Sequence, residues 1–119
     1  MISGSADIFA PAIPEQIRPF TWLTQTDKYL LLVGNSTHLS FLEGTNNLPP
    51  IIVGPDPALA RFYLQVLSLA FFNTYLKNQT KFQLYLNPTA ISTLSKDPLP
   101  LHILPSLTPK QLQEAITQN

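Results

Sequence analysis

Two residues in the first third of the chain carry side chains suited to proton transfer, at places where a fold can bring them together. Asp7 lies three residues beyond Gly4, and His38 lies four residues beyond Gly34. Each glycine closes a run that reads as the end of a β-strand, so both side chains are expected just past strand ends. In open α/β sheets, ligands bind outside the carboxyl ends of the strands, and neighbouring strands would set the two side chains side by side. The 31 residues that separate them suffice for one helical crossover. A carboxylate beside an imidazole holds one ring tautomer, and it stabilises the imidazolium formed when the other nitrogen takes a proton from a nucleophile. Blander roles exist for each residue alone. An aspartate here can form a turn that caps a following helix, and a loop histidine can simply bond to backbone. The pairing argues for both residues or for neither.

The elements that would position this pair can be read from local signals. Met1–Gly4 reads as the last piece of a strand. Ala12 to about Leu23 reads as a short helix, with Pro14 near its first turn and Pro19 kinking or ending it. Lys28–Gly34 contains Tyr29-Leu30-Leu31-Leu32-Val33, a continuous apolar run closed by glycine. A strand without polar alternation is buried on both faces, as in a parallel sheet covered by helices. The order strand, helix, strand fits a right-handed crossover. Leu39–Pro55 reads as a loop. Asp56-Pro57 then starts a helix that should run to about Leu76, with an N-cap acceptor followed by proline at the first helical position. Asn87-Pro88 opens another short helix, Pro98–Pro105 is extended by its proline spacing, and Thr108-Pro109-Lys110-Gln111 has the capping-box pattern for a last helix to about Thr117.

Composition narrows the functions. The chain has 119 residues, suited to one domain, with 45% hydrophobic and only 12% charged residues. It is too apolar for disorder, and a surface so poor in charge implies cover by something else. Seven basic residues balance seven acidic ones and no window is strongly basic, so nucleic acid has no electrostatic footprint here. The absence of cysteine removes disulfides, thiolate metal sites and a cysteine nucleophile together. Neither the two histidines nor the scattered carboxylates show metal-ligand spacing, and no cofactor is implied. The N-terminus lacks the basic start and apolar core of a signal peptide. Between Arg61 and Lys77 no charge intervenes, but the stretch falls short of the ~20 apolar residues of a membrane span and contains Gln65, Ser68, Asn73 and Thr74. Phe62, Tyr63, Val66, Leu67, Ala70 and Phe71 form a packing stripe. His102 reads as structural, Trp22 either supports the acid loop or lines a pocket, and the sequons at Asn35 and Asn78 read as chance matches.

Ser3-Gly4-Ser5-Ala6-Asp7-Ile8-Phe9-Ala10-Pro11 resembles the acid loop of α/β-hydrolases, in which Gly-x-x-Asp is often followed closely by proline. Lys28 to His38 is similar to that family's last core strand and histidine loop, and the helix after Asp56 to its closing helix. The order of acid before histidine is also the family's. The likeness is closest to the dienelactone-hydrolase and platelet-activating-factor-acetylhydrolase-like branch. It is clear over residues 2–76 and less diagnostic over 77–119. The resemblance implies an α/β fold, a partial and mostly parallel sheet with flanking helices, equivalent to the C-terminal portion of such an enzyme. It further implies catalytic roles for Asp7 and His38 and a small ester-like substrate in the intact enzyme.

The departures matter as much. The family's nucleophile sits in Gly-x-Ser-x-Gly, whose glycines are four apart. The glycines here are at 4, 34, 44 and 54, so no such pair exists. The oxyanion-hole loop is missing as well, and the first strand reads as cut, with Met1 as a start inside it after a truncation or frameshift. The chain alone is therefore expected not to hydrolyse esters. Three readings follow: a fragment of a serine hydrolase, half of a split hydrolase completed by an N-terminal partner chain, or a non-catalytic interaction module using an open sheet edge. The apolar strand Tyr29–Val33 wants neighbours on both sides, which predicts a chain soluble only as an oligomer or in a complex.

Overall fold

In the computed structural model, which describes residues 1–117, Ile2–Gly4 forms β1 and Tyr29–Val33 forms β2. The two run parallel, with Ile2 opposite Leu31, Ser3 opposite Leu32 and Gly4 opposite Val33. The connection between them is helical. Ala12–Ile17 makes a wide π-helical stretch that passes into α1, Arg18–Trp22, within the span read from the sequence. Prolines 14 and 19 lack the N–H that a regular ladder needs, which accounts for the irregular winding. The return to β2 is tied by a buried ammonium. Lys28 Nζ donates to the carbonyls of Phe20 at 3.1 Å, Leu23 at 2.8 Å and Leu107 at 3.0 Å, so its three protons are all used.

The sheet is mixed, and this corrects the expectation of a mostly parallel one. Leu101–Pro105 forms β3 and pairs antiparallel with β2, Tyr29 opposite Pro105 through Val33 opposite Leu101. Strand order is β1-β2-β3. Proline is poorly tolerated inside a strand, but Pro100 and Pro105 sit at the two ends of this run, and Leu101–Leu104 between them is free to pair. A second consequence follows. The apolar strand β2 has both its neighbours from its own chain, so it does not itself require a second molecule. The edges left open belong to β1 and β3.

The loop read over 39–55 contains two short helical pieces, a 3₁₀ turn at His38–Phe41 and α2 at Pro50–Val53. The long helix α3, Pro57–Tyr75, starts as predicted, with Asp56 accepting the N–H of Leu59 at 2.9 Å. Thr80–Leu86 forms a 3₁₀ stretch, α4 spans Pro88–Leu94 under an Asn87 cap, and α5 spans Pro109–Thr117. One face of the sheet, through Leu31 and Val33, packs on Ala60, Tyr63 and Leu67 of α3. The tail enters the same core with Leu86, Ile91, Leu99 and Leu101. The buried Tyr63 hydroxyl fastens it, accepting the Lys96 N–H at 2.8 Å and donating to the Leu99 carbonyl at 3.1 Å. Among the described residues no helix is long and apolar enough to cross a membrane.

Candidate functional site

The loops that leave β1 and β2 are joined before either reaches its chemical side chain. Ser5 N–H donates to the Val33 carbonyl at 3.0 Å, and Ala6 N–H to the Ser36 carbonyl at 2.9 Å. Asn35 N–H donates to Ser5 Oγ at 3.0 Å, from a left-handed backbone conformation with φ of 58°. Gly4 permits this approach. A Cβ at that position would lie 2.2 Å from the Ser36 carbonyl oxygen, so the two loops could not lie this close with any other residue there.

Asp7 is then held by its own loop. Its Oδ1 accepts the N–H groups of Phe9 at 3.0 Å and Ala10 at 2.9 Å. Its Oδ2 meets His38 Nδ1 at 2.9 Å. Burial alone would push the Asp7 carboxyl up, but the Ala10 N–H, the His38 ring and the Phe9 N–H together hold it below the ordinary value. An ionised carboxylate has no proton to give, so Nδ1 is the donor in this contact. The lone pair of the neutral ring is thereby left on Nε2. The side chain of Asp7 is 6% exposed and that of His38 is 52% exposed, so the acid is enclosed while the ring faces outward.

His38 opens its 3₁₀ turn, and the turn is anchored at both ends. Thr37 N–H donates to Ser40 Oγ at 2.7 Å, Ser40 Oγ donates to the Val53 carbonyl at 2.8 Å, and Thr37 Oγ1 donates to the Ile52 carbonyl at 2.6 Å. The Phe9 ring sits edge-on against the imidazole with centroids 5.8 Å apart. The expected pair is therefore in hydrogen-bonding contact at the end of the parallel strands. Comparison with protein-family models, curated proteins and solved structures finds no match to this chain. What the site can do must be argued from its own geometry.

That geometry is a buried acid, an oriented imidazole and an outward nitrogen able to accept a proton. Among the described residues no hydroxyl hydrogen-bonds to Nε2. Thr37, the nearest in sequence, spends its hydroxyl on the Ile52 carbonyl, and the buried Ser36 and Ser40 spend theirs on the Val33 and Val53 carbonyls. Among the same residues no cluster of His, Asp or Glu could hold a metal ion. His102 lies opposite Leu32 on β3 and is exposed. Trp22 is exposed too. Sequence reasoning did not single out Phe9 as a neighbour of the ring. Its position two residues after the aspartate, where its own N–H bonds the carboxylate, was the available signal. The roles of Ser5 and Ser36 depend on loop-to-loop contact and left no such mark.

Proposed function

We propose that this chain supplies the acid and base of a serine-hydrolase triad, with Asp7 orienting His38 for attack on an ester or related carbonyl. The nucleophile and the oxyanion donors come from polypeptide outside these residues. The observation that carries the reading is the 2.9 Å contact from Nδ1 to a buried, ionised carboxylate, with the imidazole half exposed. In such a triad Nε2 takes the nucleophile's proton during attack and returns it to the leaving group, while the carboxylate stabilises the imidazolium between those steps. The resemblance of residues 2–76 to the C-terminal portion of an α/β-hydrolase supports the same assignment. The one parallel strand pair, with acid and base at its carboxyl end, is the part of the mixed sheet that agrees with it.

The apolar surroundings fit a substrate with an apolar portion. Ile8 and Phe9 flank the acid and are exposed, and so are Ile51 and Ile52 of the helix that receives the Thr37 hydroxyl.

The test has two parts. Coding sequence upstream of Met1 is read in every frame for Gly-x-Ser-x-Gly. The chain alone, and the chain joined to any such segment, are then exposed to a fluorophosphonate that labels activated serines. The expectation is no label on the chain alone and a label on the joined protein that His38→Ala abolishes. Labelling of the chain alone would mean that it holds its own nucleophile. A joined protein whose labelling ignores His38→Ala would remove the hydrolase reading.

A further inference from the structure

The outward face of α3 is apolar, where a surface helix normally turns polar residues to water. Its inner face, with Ala60, Tyr63, Leu67 and Ala70, is buried on the sheet. Within Pro57–Tyr75 the exposed positions are Ala58, Phe62, Gln65, Leu69 and Phe72, and Leu76 at the C-terminal cap continues the row. Their spacing alternates between four and three residues, the seam of a left-handed helix pair. Gln65 is the one polar residue of the row, and no charged residue lies between Arg61 and Lys77. The four large apolar side chains are far from covered, from 43% exposed at Phe62 to 73% at Leu76.

We propose that this seam is the contact between two copies of the chain, paired through α3 helices that run antiparallel about a twofold axis at the level of Leu67. Three features select a second copy as the occupant. The first is register. Alternating spacing asks for a partner helix with the same spacing, and α3 itself supplies it. Ala58 of one copy then meets Leu76 of the other, Phe62 meets Phe72 and Gln65 meets Leu69, so no layer is left over. The two Gln65 side chains stand about 6 Å apart along the axis, within reach of each other, so their amides need not be buried unpaired.

The second feature is charge. Antiparallel pairing sets Lys77 of each copy at the level of Asp56 and Pro57 of the other, and the two helix dipoles cancel. A parallel pair would set Lys77 against Lys77. Arg61 stays out of the seam, donating to the Leu42 carbonyl at 3.1 Å. The third feature is area. At roughly 200 Å² for a whole large side chain, the four apolar residues leave about 450 Å² in water on each copy. Ala58, Gln65 and the half-buried positions beside the row extend this toward the roughly 600 Å² per partner at the low end of stable interfaces. That is the area of a weak dimer.

Sedimentation of the purified chain over a range of concentrations is the test, with NMR to locate the contact. A monomer–dimer equilibrium with a micromolar dissociation constant is expected, with concentration-dependent shifts at the amides of α3. Leu69→Lys puts charge at the centre of the seam and should weaken dimerisation at least tenfold. Leu69→Ala removes apolar contact without adding charge and should weaken it less, in the same direction. Ile8→Lys, at an exposed apolar residue of the acid loop, should leave it unchanged. The chain has no cysteine of its own, so introduced thiols report direction. Under mild oxidation a mixture of Ala58→Cys and Leu76→Cys should form a mixed disulfide dimer faster than either variant cross-links with itself. Three results overturn the proposal. One is a chain that stays monomeric at every concentration, its seam free or kept for a different polypeptide. Another is dimerisation that both Leu69 variants leave intact. The third is faster cross-linking of either cysteine variant with itself than of the mixture. His38→Ala should dimerise as the wild type does, so failure here and failure of the triad reading remain distinct.

Discussion

The two oxygens of Asp7 have different tasks, and that division determines what an amide in its place would do. Oδ1 is claimed by two backbone N–H donors, so the carbonyl oxygen of an asparagine would take that position. Its NH₂ group would then face His38 Nδ1, which could meet a donor only as an acceptor. Asp7→Asn is therefore predicted to move the ring proton to Nε2 and remove the lone pair from the exposed side. Nitrogen-15 chemical shifts of His38 would show the change directly, and an unchanged Nδ1–H tautomer would contradict the assigned geometry. The same carboxylate links stability to pH. Its folded value lies below its unfolded value of about 3.9, so the unfolded chain binds more protons in that range. Its stabilising contribution is full above about pH 4 and is lost as pH falls through the lower folded value. The stability gap between wild type and Asp7→Asn, measured by urea unfolding, should shrink as the pH drops below about 4. A gap that widens there would give the shift the opposite sign.

At the scale of elements, the site depends on how closely two loops can approach. Gly4→Ala would put a Cβ 2.2 Å from a backbone oxygen, with no flexible side-chain end to yield. Forced overpacking costs about 1–3 kcal/mol, and a rigid carbonyl points to the upper end of that range. The loss should appear as a lower denaturant midpoint and a weakened Asp7–His38 contact; an alanine variant as stable as wild type would mean that the loops are not packed as described. Much of this arrangement was legible in the sequence because its signals are local. Gly4, Asp7, Gly34 and His38 mark strand ends and loops by their own chemistry, and Asp56-Pro57 announces a helix start. The antiparallel partner of β2 was not legible. Leu101–Leu104 is short, bracketed by prolines and more than sixty residues away, and its pairing depends on a turn around Leu99 that no periodicity reveals. The four-residue helix Pro50–Val53 is likewise too brief to show a helical period. Reading β2 as buried on both faces was sound, but attributing one neighbour to another chain followed from missing β3.

For the molecule as a whole, shape and charge set how much apolar surface meets water. The chain measures 40 × 38 × 22 Å, a slab rather than a sphere, with a radius of gyration of 14.7 Å. A compact domain of this length would have one of about 13.5 Å. A slab exposes more of its apolar residues, and here their charge cover is thin: seven positive and seven negative charges in 119 residues. Zero net charge leaves association unopposed by repulsion. Self-association of the purified chain is therefore expected to come from apolar contact and to persist in high salt, where charge pairs are screened. Sedimentation at low and high salt checks this: association that dissolves as salt is raised would show that charge pairs, not the apolar surface, hold the copies together.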